Sequence, residues 1–273
     1  VAVQPRWDAP QDLFGFYNYM EDRFKATELS RALRQMDKIN WRAKDHDKVD
    51  ETVQEGVLLV LLDEMNLARV EYYFSELLSK LEMRPPRGAD HPERRRDSEI
   101  EIELGSLEAS DNPGRLFVGH NVLFAGTMNE DETTQALSDK VIDRSNVLRF
   151  GKPEDMRAEP TGALPGGPSG HIRYEHWVKW CHRDLPTDER NKLYGYCKSA
   201  NEALSKINRP FGYRVQQAIE KYVSQYPRWT ENWFNDAVAD QMEQKVIPKL
   251  RGISRDIDER AHDTLEDIQQ ILD

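Results

Sequence analysis

Gly56-Val57-Leu58-Leu59-Val60-Leu61-Leu62-Asp63-Glu64 is a glycine and six aliphatic residues stopped by two carboxylates. An apolar run of this length without period-two alternation predicts a strand buried on both faces, as in a parallel sheet. A second run, Asn121-Val122-Leu123-Phe124-Ala125-Gly126-Thr127-Met128, stops at Asn129 and reads the same way. Both predicted strands end in polar groups, and open parallel sheets bind ligands outside the C-terminal ends of their strands. Between them Leu67, Val70, Phe74, Leu77, Leu78 and Leu81 recur at helical spacing, predicting one amphipathic helix over 67–82.

Upstream, a helix is expected over 25–36, opening at Ala26-Thr27-Glu28-Leu29. Downstream, residues 84–118 hold Arg94-Arg95-Arg96 and then the alternation Glu99-Ile100-Glu101-Ile102-Glu103-Leu104, which predicts an inserted loop and β-hairpin. Residues 160–170, PTGALPGGPSG, have no apolar period and read as a flexible connection. The organisation that follows is an α/β core over 1–155, a Pro/Gly-rich linker over 156–171 and a helical body over 172–273. Helices are expected there over Tyr174–His182, Asp188–Ile207, Val215–Tyr226, Trp233–Lys245 and 256–272, with Pro210, Pro227 and Pro248 between or after them.

The chain has 273 residues, with 38 Lys and Arg against 49 Asp and Glu, a formal charge of −11. That balance argues against a basic nucleic-acid-coating protein but leaves a local basic patch open. No apolar run approaches the roughly 20 residues that cross a bilayer, and no secretory signal is visible at the start. Cys181 and Cys197 are the only cysteines and cannot build a disulfide framework, so a cytoplasmic location is expected. The chain starts at Val1 and reads as a piece of a longer one.

Asp63-Glu64 at a buried strand end is what a nucleoside triphosphatase needs: one carboxylate for the Mg²⁺ shell, the next to activate the attacking water. The same pair could instead cap the following helix. Asn129 at the end of the neighbouring strand could orient that water or touch the γ-phosphate, or serve as an ordinary turn residue. The combination is more specific than either part. His176, Cys181, His182 and Cys197 match no standard zinc spacing. Arg94–Arg96 could touch DNA phosphates, though Asp97 and Glu99 beside them favour a solvated cluster. Trp177, Trp180, Trp229 and Trp233 are expected in the core of the helical body or at a subunit interface.

These residues carry a resemblance. LLDEMNLARVEYYFSELLSKLE (61–82) resembles the Walker B segment of AAA+ ATPases, most closely the McrB-type restriction motors and the dynein-related, MoxR-like branch. GTMNEDETTQALSDKVIDRSNVLRF (126–150) resembles their sensor 1 strand and the helix with its arginine finger. FGYRVQQAIEKYV (211–223) resembles the lid helix carrying the sensor 2 arginine. VAVQPRWDAPQDLFGFYN (1–18) resembles the strand and loop after the phosphate-loop helix. Together the resemblance covers most of 1–150 and about 208–252.

The resemblance implies an α/β fold: a P-loop NTPase-type parallel sheet with helices on both faces, lacking its first strand and phosphate loop, followed by an all-helical lid. It implies that Asp63 coordinates Mg²⁺, Glu64 activates water and Asn129 is sensor 1. It makes Arg144 the finger reaching a neighbouring subunit's γ-phosphate and Arg214 sensor 2, with Arg149 a weaker finger candidate packed at a strand ending in Phe150. Surface salt bridges are the plain alternative for these arginines. The implied protein is a ring, a hexamer, hydrolysing ATP or GTP with Mg²⁺ as cofactor. It would drive DNA translocation or remodelling beside a nuclease or effector subunit in a restriction or anti-phage system. Two other readings are an assembly subunit that only lends a finger and a nucleic-acid-binding module. The sequence departs from the family in two ways. G-x-x-x-x-G-K-[ST] is absent, the sole Gly-Lys being Gly151-Lys152 before Pro153, so the phosphate loop is expected upstream of Val1, the alternative being a degenerate ATPase. Glu130-Asp131-Glu132 follows Asn129, so a GTP preference does not carry over.

Overall fold

The computed structural model describes residues 1–37, 55–86, 92–102, 114–129, 135, 137–151, 170–181, 184–253 and 259–272. Its fold is mixed α/β with small sheets. The chain divides into two compact units, residues 1–141 with 163–177 and residues 142–162 with 178–273. No helix among the described residues is long and apolar enough to cross a membrane.

In chain order the first unit holds α1 (Pro10–Phe14), β1 (Gly15–Asn18), β2 (Arg23–Ala26), α2 (Glu28–Met36) and β3 (Leu58–Leu62). It continues with α3 (Val70–Tyr73), α4 (Ser75–Glu82), α5 (Pro92–Arg95), β4 (Ile100–Glu101), β5 (Arg115–Leu116) and β6 (Val122–Gly126). α6 (Asp139–Ile142) follows. β3 and β6 pair in parallel, Leu58 opposite Val122 through Leu62 opposite Gly126. On the other side of β3, Ala2 makes a parallel bridge with Asp63. There the Val3 N–H donates to the Asp63 carbonyl at 3.1 Å and the Asp63 N–H to the Val1 carbonyl at 2.9 Å. Three parallel tracks therefore lie side by side, with β3 in the middle.

Only one face of β3 is buried. Val60 and Leu62 join the core with Leu29, Leu33, Val70, Tyr73, Phe74 and Leu77. Leu59 and Leu61, pointing the other way, are 60% and 47% exposed. The expected strand buried on both faces is thus buried on one, because the helices that pack on it, α2 to α4, all supply the same side of this core.

Two expected helices are redrawn. The 25–36 helix begins only at Glu28: Arg23–Ala26 pairs antiparallel with β1, and the Thr27 hydroxyl accepts the Ser30 N–H at 3.2 Å as an N-cap. Gly15 makes that pairing possible, since its φ is 104° and a Cβ there would lie 2.1 Å from the Lys25 carbonyl oxygen. The 67–82 helix breaks into a 3₁₀ turn at Met65–Leu67, then α3, then α4. The break at Phe74 (φ −113°, ψ −9°) is a kink, with the ladder continuing through the Phe74 N–H to the Val70 carbonyl at 2.9 Å. The earlier break follows from Asn66, which is turned inward as described below.

β4 and β5 pair antiparallel, Ile100 opposite Leu116, at the predicted hairpin; residues 103–113 between them lie outside those described. The basic cluster beside it is not uniformly solvated. Arg94 and Arg96 are exposed. Arg95 is 2% exposed and grips Asp37 with two parallel bonds of 2.8 Å. Its Nε donates to Glu99 at 2.7 Å and its guanidinium lies 4.7 Å over the Phe117 ring. Burial works against the charge, but Asp37 and Glu99 more than offset it and raise the Arg95 pKa. Arg95→Met removes the two parallel bonds that the buried Asp37 carboxylate accepts from the guanidinium. Breaking one side of a buried pair costs about 3–5 kcal/mol, so the urea midpoint of the first unit should fall accordingly. A loss below about 1 kcal/mol would mean that the Asp37 carboxylate does not depend on Arg95.

α7 (Tyr174–Cys181) is divided between the units after Trp177, and the second unit is otherwise helical, with α8 (Thr187–Lys206), α9 (Tyr213–Gln225), α10 (Trp233–Gln241) and α11 (Glu259–Leu272). Leu193, Leu204, Val215, Ile219, Val223 and Met242 form its core. The predicted helix over Trp233–Lys245 stops at Gln241, continues as a π turn over Met242–Val246 and ends in a 3₁₀ turn at Ile247–Leu250. Pro248 explains this: it has no N–H to give and its ring would clash with the Gln244 carbonyl in a regular helix. Of the tryptophans, Trp233 packs against the core, whereas Trp180 and Trp229 are exposed.

Candidate functional site

The parallel register fixes what meets what at the strand ends. Leu62 lies opposite Gly126, so Asp63 lies beside Thr127. The Thr127 N–H donates to the Leu62 carbonyl and the Met65 N–H to the Thr127 carbonyl, both at 2.9 Å. Gly126 leaves room for the Met65 side chain, since a Cβ there would sit 2.1 Å from its sulfur. Glu64 takes a left-handed backbone, φ 51° and ψ 49°, uncommon for a residue with a Cβ. Such strain persists only where the surroundings hold it, and it gathers at functional sites.

What holds it is Thr127. Its hydroxyl donates to Asp63 Oδ1 at 2.7 Å and accepts the Glu64 N–H at 2.8 Å. Asn129 Nδ2 donates to Glu64 Oε1 at 3.4 Å. Asn66 is buried, and its Nδ2 donates to the Asn129 carbonyl at 2.8 Å. The Gln135 N–H returns to the Asn66 carbonyl at 3.0 Å, and Asn66 Oδ1 is left without a partner. Asp63, Glu64 and Asn129 are thus brought together at one exposed edge, braced by two residues, Thr127 and Asn66, that no sequence motif singles out. The available signal for Thr127 was the alignment of the two strand ends.

Farther along, the Ser138 N–H donates to Glu71 Oε1 at 2.8 Å, at the entrance to α6. Burial raises the Glu71 pKa, but hydrogen bonds from Ser138 and from its own main-chain N–H, with the charge of Arg69, together hold the carboxyl below its usual range. Arg144, half-buried in the turn after α6, and Arg214, exposed in the first turn of α9, belong to the second unit. The entry to α9 is fixed by Asn201, whose carboxamide accepts the Phe211 N–H at 2.7 Å and donates to the Phe211 carbonyl at 3.1 Å. Arg149 pairs with Glu243 at 3.8 Å, and Phe150 is exposed with no strand at 143–151, which corrects the packing expected for both. Cys197 sits in the helical core, where burial pushes its thiol up to about 11. Among the described residues no group of three or more His, Cys, Asp and Glu could hold a metal. A single exposed carboxylate such as Asp63, with one oxygen taken by Thr127, still fits Mg²⁺, which keeps most of its waters and binds proteins through one or two carboxylates plus phosphate.

Thr127→Val removes the bridge between Asp63 and the Glu64 N–H while keeping the branched shape. At this exposed edge water can partly replace it, so the loss should be about 0.5–1.5 kcal/mol in urea unfolding, with Thr127→Ser near wild type. Equal stability of all three would remove the brace.

Residues 171–273 match the family model of a domain of unknown function (DUF8727). The match takes in α7 to α11 and Arg214 and leaves the Asp63–Glu64–Asn129 edge outside it. No curated protein and no solved structure matches the chain.

Proposed function

We propose that the chain is the catalytic half-site and lid of an AAA+-type nucleoside triphosphatase that assembles into a ring. The observation that carries this is the single hydrogen-bonded group at the ends of β3 and β6: Asp63, the strained Glu64, Thr127 and Asn129. The three parallel tracks support a P-loop NTPase-type sheet, and the all-helical second unit supports a lid. When bound, Mg²⁺ would supply charge neutralisation for the phosphates. Asp63 would hold it through its unbonded oxygen. Glu64 would accept a proton from water, and Asn129 would keep both carboxylate and water in line. Arg144 would act on the neighbouring subunit's nucleotide, and Arg214 would touch the phosphates from the lid. Arginine suits both because its charge is permanent and its donors form a planar fork.

A ring of six, a nuclease or effector partner, DNA as the remodelled substrate and a cytoplasmic location complete the proposal. The burial of Arg95 weighs against the nucleic-acid-module reading, since it takes the centre of the basic cluster away from any phosphate.

A phosphate loop supplies backbone N–H donors and a Lys that hold the β- and γ-phosphates, and these 273 residues contain no such motif. Positioning and charge stabilisation supply nearly all of phosphoryl-transfer catalysis. The chain alone should therefore release no phosphate from Mg-ATP or Mg-GTP, whereas a protein that also carries the phosphate loop should. Micromolar binding with steady turnover by the 273 residues would put a phosphate-binding element inside them. Silence from both would end the triphosphatase reading.

A further inference from the structure

Lys245 is 2% exposed, in the π turn that interrupts the helix after Gln241. π turns inside helices are rare and frequent at functional sites. Among the described residues no carboxylate is in hydrogen-bond contact with the Lys245 ammonium. Instead it donates to three main-chain carbonyls of one short turn: Ile142 at 2.7 Å, Asp143 at 3.1 Å, and Ser145. Burial pushes its pKa down to about 8, with the Asp143 carboxylate pulling up and the Lys249 ammonium pushing down. Lys249 faces the same turn, its Nζ 3.5 Å from Asp143 Oδ1, and the Arg149–Glu243 pair ties the next stretch to the same π turn.

A buried ammonium is costly unless its donors are satisfied, and a methionine of similar length would fill the space without that cost. The chemistry present does something a methionine could not: it gathers the carbonyls at the end of α6. The end of a helical turn leaves carbonyls without intrahelical partners, so a donor with several N–H groups is the natural clasp. The three carbonyls belong to residues 142, 143 and 145, and the residue they bracket is Arg144.

We propose that Lys245 is a positioning residue for Arg144, clasping the 142–145 turn so that the guanidinium is presented in one orientation. The proposal rests on the reading of Arg144 as a finger acting in trans. It makes the second unit, through its π turn, the element that sets finger geometry. Only a lysine fits the role: three rotatable donors can meet three divergent carbonyls, whereas the planar arginine fork cannot.

The test uses the complete protein with Lys245→Met, which keeps length and loses the charge, and Lys245→Arg, which keeps the charge and loses the geometry. Amide exchange over 143–149 should speed up at least tenfold in both variants, while α8 and α9 keep their protection. Hydrolysis should fall at least tenfold in kcat with KM for nucleotide within twofold, because the finger serves the neighbour's site. Mixing either variant with Glu64→Gln subunits should restore activity, since the latter bring an intact finger to an intact Glu64. A merely structural lysine would slow hydrolysis without that rescue, and this result, or unchanged exchange over 143–149, would overturn the proposal. If Lys245→Met fails to fold, Lys245→Arg decides the same comparison. Absence of hydrolysis in the wild type would remove the triphosphatase reading and the finger with it, while the exchange result would decide separately whether Lys245 fixes the turn.

Discussion

Glu64→Gln in the complete protein should bind Mg-ATP or Mg-GTP as tightly as wild type and hydrolyse it about 10²–10⁴-fold more slowly, the range a positioned general base contributes. The substitution keeps the shape and the hydrogen bond from Asn129, since a carboxamide oxygen accepts as the carboxylate does. It keeps the bond from the Glu64 main-chain N–H to Thr127, so the strained backbone stays held. Asp63 and its bond to the Thr127 hydroxyl are untouched. What is lost is one proton acceptor at the edge, and only the water needs it. Asp63→Asn should behave differently, weakening Mg-nucleotide binding along with turnover. Calorimetric titration beside a phosphate-release assay separates the two. Turnover of Glu64→Gln within a few-fold of wild type would take Glu64 out of the role and leave its left-handed backbone as a feature of the turn alone.

The two parallel strands and the acid pair could be read from the chain because a short aliphatic run stopped by two carboxylates suits the middle of a sheet. Asn129 was legible for the same reason, as the residue that stops the second run. Thr127 and Asn66 were not, because Thr and Asn are common at strand ends and turns, and their importance depends on register. One residue of slip would have put a different side chain beside Asp63. The exposure of Leu59 and Leu61 was equally hidden: the run is apolar throughout, and which face is covered is decided by helices elsewhere in the chain. β2 was missed because four residues, Arg23-Phe24-Lys25-Ala26, give only a hint of alternation and sit against a convincing helix start. Arg95 and Lys245 mark the limit of local reading. Asp37 is 58 residues from Arg95 and the turn that Lys245 holds is about 100 residues from it, and nothing in a charge run says which member turns inward.

Arg144→Ala should reduce hydrolysis by about 10³–10⁵-fold, the contribution of an arginine finger, while leaving nucleotide binding to the same subunit nearly intact. The reason is geometric: a finger in trans completes the neighbour's site and adds little to its own. Arg144 lies in the turn just after α6, whose carbonyls Lys245 holds, so the backbone bearing it is fixed before any neighbour arrives. Removing the side chain beyond Cβ leaves the bonds from Lys245 to the main-chain carbonyls of the turn in place. Two dead proteins then become informative together. Arg144→Ala subunits keep Glu64, and Glu64→Gln subunits keep the finger. In mixed rings some interfaces regain one intact set, and activity should rise to a maximum at intermediate ratios. The decisive measurement is phosphate release across a ratio series, with mixed assembly confirmed by mass. Mixtures as dead as either parent at every ratio would mean that Arg144 and Glu64 do not share an interface. The guanidinium would then be serving its own chain, and the ring would have to be argued without it.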